Sequence, residues 1–344
     1  MPLLTGLHDV STLLPETTSV CTIRETVCIL EPQLYKARCI AVVVPAYNEE
    51  GLISSVIGTM PACVDHIIVV DDCSKDDTRG VVARATDARV VLLSTPRNSG
   101  VGGATIVGFK HAISLGAAII VKMDGDGQMD PEYLPTLLDA LIDDGYDYAK
   151  GNRFLIPEFL PVMPKHRLLG NMALTFMTKL ATGYWNLFDP QNGYVAIKTE
   201  AFQKLDPQKL HPRFFFENDM LVQLSLHNAR VKDVPIPARY GSERSSLNPL
   251  QVVVTFPLLF HHRFWRRIWH NYVVRDFNPI ALFLFLGLGL MLLGGGFGVF
   301  SWIRSSLTGE FASTGTVMLS VLPVVIGFQL LLQAIVLDIQ RSPR

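Results

Sequence analysis

The sequence is poor in net charge and in cysteine. Across 344 residues the formal net charge is −1, so no basic field points to nucleic acid as a partner. The five cysteines, Cys21, Cys28, Cys39, Cys63 and Cys73, are odd in number and form no C-x-x-C pair. That argues against a zinc site and for reduced thiols facing the cytosol. The first 38 residues lack a basic start followed by an apolar core, so no cleaved leader is expected. Internal repeats and low-complexity tracts are absent as well. The length permits a large core, with one or two domains and appendages.

Two regions of different character remain. Up to about Ile236, short apolar runs alternate with helical patterns. The runs are "CIAVVVPAYNEE", "HIIVVDDCSKDDT", "ARVVLLS", "AAIIVKMD" and "YDYAKGN", with helices expected over residues 105–115 and 131–142, among others. Fully apolar strands separated by helices predict an α/β fold, a mostly parallel sheet covered on both faces. In such sheets the ligand sits at the carboxyl ends of the strands. "PAYNEE", "DDCSKDD" and "DGDGQ" all fall there.

From Phe277 onward the composition changes. No charge occurs between Asp276 and Arg304, nor between Glu310 and Asp338. Each stretch exceeds the ~20 residues that a membrane span needs. The expected spans are 277–304 and 311–338, an antiparallel hairpin joined by a short link. Gly294 and Gly298 have small-xxx-small spacing, and Gln329 and Gln333 share a face expected to look toward protein. The hairpin could also pair with a second copy of the chain. Basic residues crowd both flanks, which predicts both termini and the large domain on the cytoplasmic side. Residues 248–276 mix aromatic and apolar residues with Arg and His, and read as one or two amphipathic helices in the membrane surface.

Asp124 and Asp126 end an apolar run with one glycine between them. Buried acids are costly unless compensated. On one turn, both carboxylates can reach one hard cation, Mg2+ or Mn2+. Gly125 and Gly127 would let the backbone approach closely. An EF-hand loop is excluded, because Gln128 and Met129 stand where a third acid and a glycine are required. A solvated turn is the plain alternative, since Asp-Gly is ordinary turn chemistry.

Four motifs in order tilt the balance: "VVVPAYNEE" (42–50), "VVDDCSKDDT" (69–78), "RNSGVGGATIVGFKHA" (97–112) and the D-x-D. Together they resemble the family 2 glycosyltransferases over residues 39–247. "GNRF", "DPQNGYVAI" and "RYGSERSSL", followed by an apolar hairpin, are most similar to its polyprenyl-phosphate group, which includes dolichyl-phosphate mannose and glucose synthases. The resemblance implies a GT-A-type domain at 39–247 after an N-terminal extension, 1–38. It also implies a nucleotide-sugar donor, UDP- or GDP-linked, and a polyprenyl phosphate acceptor. Pro45, Tyr47 and Glu49 match nucleotide-holding residues, and Val70 and Asp72 match the base and ribose site. Asp124, Gly125 and Asp126 match the turn that binds metal and diphosphate, with Gln128 a polar neighbour. Arg153 matches an arginine near the phosphates. Arg244 falls where relatives carry a basic residue, with Arg239 beside that motif. "RYGSERSSL" departs from the usual "YGESKL", which leaves Glu243 and Arg244 without a firm role. Asp189 matches an acid on the acceptor side, while Glu217 and Asp219 in "FFFENDMLVQL" compete with it for the role of base.

The expected reaction is inverting, metal-dependent sugar transfer at the cytoplasmic membrane face. The alternative is a family 2 transferase using a glycolipid or glycan hydroxyl. A non-enzymatic scaffold is disfavoured by intact acids at all three strand ends. His166, Arg167, Arg263, Arg266 and Arg267 are candidates to meet a lipid phosphate.

Overall fold

The computed structural model describes residues 35–156, 165–237 and 249–343. Seven strands form one sheet: β1 (Ile40–Ala46), β2 (His66–Asp71), β3 (Val90–Ser94), β4 (Ile119–Lys122), β5 (Tyr148–Asn152), β6 (Val195–Lys198) and β7 (Val231–Pro235). Their order is β3-β2-β1-β4-β6-β5-β7. β1 pairs in parallel with β2 and β4, β2 with β3, and β5 with β7, whereas β6 runs antiparallel to both β4 and β5. The sheet is therefore mostly parallel, as its apolar strands predict.

Alternate residues of β1 serve two cores. Ile40, Val42 and Val44 pack with α1 (Ile53–Gly58), α2 (Thr78–Ala83) and α4 (Leu134–Ile142) on one face. Ala41 and Val43 pack with α3 (Val101–Ser114), α6 (Thr199–Gln203) and α7 (Phe216–Leu226) on the other. The helix expected from residue 105 begins earlier, at Val101, because its glycines allow close approach. Gly103 N–H donates to Pro212 O at 2.9 Å, and a Cβ on Gly102 would lie 2.5 Å from His211 O. Of the expected N-terminal extension, residues 35–38 already belong to the domain, for Tyr35 Oη donates to Asp139 at 2.7 Å.

After α5 (Lys165–Thr182), the long helix α8 (Pro249–Trp269) packs across α5 and α7. Phe256 and Phe260 bury against Phe215, Val222 and Ala181. Its opposite side leaves Val254, Leu258 and Trp269 exposed, which suits a helix lying in a membrane surface. A π-helical turn, His270–Val274, leads to α9 (Pro279–Thr308) and α10 (Thr314–Gln340). Both are long and apolar enough to cross a membrane; at 1.5 Å per residue each exceeds a hydrocarbon core of ~30 Å. They pack through glycine: a Cβ on Gly287 would meet Gly327 O at 2.8 Å, and one on Gly294 would meet Ser320 O at 2.7 Å.

Two expectations for this region are corrected. Within the chain Gln329 and Gln333 do not look toward α9, because the seam of α10 is set by Gly327, Ala334 and Asp338 on another face. Arg267 does not meet a lipid phosphate. It is 2% exposed, and its guanidinium donates to Asp338 at 2.7 and 3.1 Å and to Leu180 O at 2.9 Å. Tyr272 Oη and Trp185 Nε1 complete the Asp338 cage. A Cβ on Gly183 would fall 2.6 Å from the same guanidinium. This clamp ties the end of α10 to the α/β domain.

Breaking a buried ion pair from one side strands the other charge. Asp338→Ala should cost ~3–5 kcal/mol, whereas joint replacement by Arg267→Met and Asp338→Leu should recover most of it. Thermal unfolding in detergent reads both; a single variant as stable as the parent would dismiss the clamp.

Candidate active site

Three strand ends meet at one edge of the sheet. Beyond β1, the loop 47–50 is knitted to the loop beyond β2. Asn48 N–H donates to Ser74 Oγ (3.0 Å), Glu49 N–H to Thr78 Oγ1 (2.8 Å), and Lys75 N–H to Asn48 Oδ1 (2.8 Å). Asn48 adopts φ 59°, which its short polar side chain tolerates. Pro45 is buried, Glu49 is half-buried, and Tyr47 is 41% exposed beside them. A Cβ on Gly125 would sit 3.3 Å from Pro45 O and 3.6 Å from Glu49 Cγ. The D-x-D turn thus abuts the β1 loop, and glycine permits it.

Val70 is buried under α3, and Asp72 is 3% exposed. One Asp72 oxygen accepts from Thr95 Oγ1, Ser99 N–H and Ser99 Oγ at 2.7–2.8 Å, and the other accepts from Gly100 N–H at 2.7 Å. The Asp72 carboxylate therefore shapes the loop entering α3. Val70 is 0% exposed and lies between β1 and β3 in the sheet, so the expected contact of Val70 with a base is corrected: it is a core residue beneath the site.

At the end of β4 lies a residue that the sequence reading passed over. Lys122 is 1% exposed, with its ammonium 2.6 Å from Asp124 Oδ1, 3.2 Å from Glu217 Oε1 and 3.4 Å from Gly193 O. Burial works against its charge, but Asp124 and Glu217 outweigh burial and hold the lysine protonated. A Cβ on Gly193 would fall 2.6 Å from both Lys122 Nζ and Asp124 Oδ2, so the "NGY" glycine is a packing requirement. The available signal was a lysine closing an otherwise apolar strand, with the apolar Met123 still to follow. Asp126 accepts from Gln128 N–H at 3.0 Å across the turn, where Gly127 takes φ +71°.

The competing acids separate. Glu217, at the start of α7, faces Lys122; burial pushes its carboxyl up, Asp124 adds to that, and Lys122 opposes it. Asp219 lies two residues on and points elsewhere, as i,i+2 residues on a helix do. It accepts from Arg263 at 2.6 and 3.1 Å and from His211 N–H at 2.9 Å, which seats α8 on α7. Arg263 is thereby committed to Asp219, and Arg266 lines a cleft of about 480 Å³ with Lys209, His211 and His262.

Asp189, 2% exposed and at φ 50°, accepts a bidentate pair from Arg153 at 2.7 Å each. Burial would raise its carboxyl, yet Arg153 and then Lys150 hold it below the usual range. Lys150 in turn bonds Phe188 O at 2.6 Å and Asp233 at 3.0 Å, fixing the 188–189 turn. Arg239, Glu243 and Arg244 lie outside the described residues, as do the side chains of His166 and Arg167.

Two carboxylates on one tight turn suit a hard cation. The Asp124 side chain is 31% exposed, and its glycine neighbours add no bulk. Among the described residues no cluster of three His, Cys, Asp or Glu forms a protein-only cage. Mg2+ or Mn2+ would complete its shell with phosphate oxygens and water.

The glycosyl transferase family 2 description matches residues 41–206. The UDP-N-acetylglucosamine–dolichyl-phosphate N-acetylglucosaminyltransferase of Methanococcus voltae is 31% identical over 238 residues, 65% of this chain and 94% of the relative. Polyprenol monophosphomannose synthase of Mycolicibacterium smegmatis is 31% identical over 201 residues, 57% of this chain and 75% of the relative. Among solved structures, glucosyl-3-phosphoglycerate synthase from Mycobacterium tuberculosis in complex with Mn2+, uridine diphosphate and glucosyl-3-phosphoglycerate superposes at TM-score 0.51 and 22% identity. That match covers 67% of this chain and 80% of the other, and it concerns the fold. Motifs, sheet and a relative covered almost end to end agree: this chain is a glycosyltransferase of family 2, with a GT-A-type domain.

Proposed function

We propose that the enzyme transfers a hexosyl group from a nucleotide sugar, UDP- or GDP-linked, to polyprenyl phosphate at the cytoplasmic membrane face, with inversion. The observation that carries this is the clamp between Arg267 and Asp338. It docks a hairpin of spanning length beside the domain that bears the D-x-D turn, as an acceptor residing in lipid requires. Relatives named for dolichyl-phosphate and polyprenol substrates support it.

On this reading Pro45, Tyr47, Glu49 and Asp72 frame the nucleotide, and Asp124 and Asp126 hold Mg2+ or Mn2+. The bound cation would neutralise charge developing on the diphosphate leaving group. Arg153, braced by Asp189, offers a fixed cation to a phosphate oxygen. A lipid phosphate with a second pKa of ~6 is largely dianionic at neutral pH and needs no strong base. Asp189 then acts through Arg153, and Glu217 acts through Lys122. The raised carboxyl of Glu217 favours a second reading, in which it accepts a proton from a glycolipid or glycan hydroxyl. Basic flanks orient both termini to the cytoplasm. The exposed amides of Gln329 and Gln333 suit pairing with a second copy.

The test is transfer of radiolabelled sugar from UDP- and GDP-sugars into polyprenyl phosphate by the membrane-embedded enzyme. An acid-labile, phosphate-containing lipid product is expected. A labelled product that resists mild acid and lacks phosphate would favour the hydroxyl acceptor.

A further inference from the structure

A lysine at the end of a buried strand is expensive unless it is fully paired. Lys122 is paired twice, to Asp124 at 2.6 Å and to Glu217 at 3.2 Å. A D-x-D turn works through its carboxylates, and nothing in sugar transfer requires an ammonium fixed to the first of them. Its placement has a consequence for charge. Without substrate, Lys122 already balances Asp124, and it opposes any second cation brought to the same oxygen.

We propose that Lys122 is a resident counter-cation that makes divalent-metal binding at Asp124 and Asp126 conditional on the nucleotide diphosphate. The inference rests on the metal-dependent reading above. An arriving diphosphate carries the negative charge that the turn alone cannot offer a metal once Lys122 is paired there. Lys122 then shifts its weight to Glu217, the carboxylate on its other side, and releases Asp124 Oδ1. Glu217 is the alternative seat that lets the lysine stay charged and buried throughout. By linkage, metal and nucleotide tighten each other's binding by one common factor.

Mn2+ binding to the full chain in detergent, followed by the electron paramagnetic resonance of free Mn2+, tests this with UDP and GDP as probes. The parent should bind Mn2+ at least ~10-fold more tightly with the matching nucleotide than without it. Lys122→Met should bind Mn2+ alone more tightly, so its coupling to nucleotide should fall below the parent's, leaving only the part that phosphate oxygens supply by direct contact with the metal. Glu217→Gln guards against misfolding of that variant. With its second seat weakened, Lys122 stays on Asp124, and Mn2+ binding in the presence of nucleotide should weaken by ~10-fold. Unchanged Mn2+ affinity in Lys122→Met without nucleotide overturns the proposal. If Lys122→Met does not fold, an unchanged affinity in Glu217→Gln overturns it. A parent that binds no Mn2+ even with UDP or GDP removes the metal-dependent reading itself.

Discussion

Asp126→Ala is expected to lower sugar transfer by roughly 10²–10³-fold, the scale of removing one preorganised electrostatic contact to a charged transition state. The domain should stay folded. The Asp126 side chain is half-buried, and the bond it accepts from Gln128 N–H closes a local turn; such a bond is worth about 1 kcal/mol. Excess chelator should silence the parent to the same degree, and added Mg2+ or Mn2+ should restore it. Parent turnover that persists in chelator would refute the metal-dependent reading.

Glu217→Gln is expected to cost at least ~10²-fold in turnover, and Asp189→Asn about 10-fold with nucleotide affinity little changed. The order follows from geometry. Both Asp189 oxygens are held by Arg153, so Asp189 braces a cation, while Glu217 touches the lysine that holds Asp124. The pH profile separates the roles. Asp189 is held below the ordinary carboxylate range, so it stays ionised as pH falls toward that range and cannot set an acidic limb near neutrality. Its contribution to stability is present above the unfolded value and is lost as pH falls through the lower folded value. Glu217 has the opposite sign: its carboxyl is raised, so its ionisation weighs on the fold as pH climbs from the unfolded to the folded value. An acidic limb near ~6 that survives in both variants belongs to the acceptor phosphate. A limb that disappears only in Glu217→Gln makes Glu217 a proton acceptor and favours the hydroxyl reading.

Much of this was legible in the chain because parallel strands buried on both faces must be apolar throughout. β1, β2 and β4 announce themselves that way, and their ends carry the acids. The antiparallel β6 does not, for "VAIK" is four residues long and its partners lie 45 or more positions away. Lys122 was hidden by its neighbours: at the end of an apolar run it reads as the start of a polar turn. Glu217 and Asp219 were indistinguishable in a string, yet a helix sends them to different partners. Arg267 looked like one surface base among several, and only the return of α10 supplies the acid that buries it. Gln329 and Gln333 share a stripe as expected, but periodicity alone does not say which stripe two helices choose for their seam. The glycines chose it.

The same return has a bearing on biosynthesis. Arg267 precedes both apolar helices in the chain, and Asp338 follows nearly all of the second. Until α10 has come back to the side from which α9 departed, Arg267 sits in its niche beside Leu180 O without a counter-charge. The ion pair thus joins two positions 71 residues apart and forms only once α10 lies back along α9, so the fold of the domain beside Arg267 is completed by the last turn of the last helix.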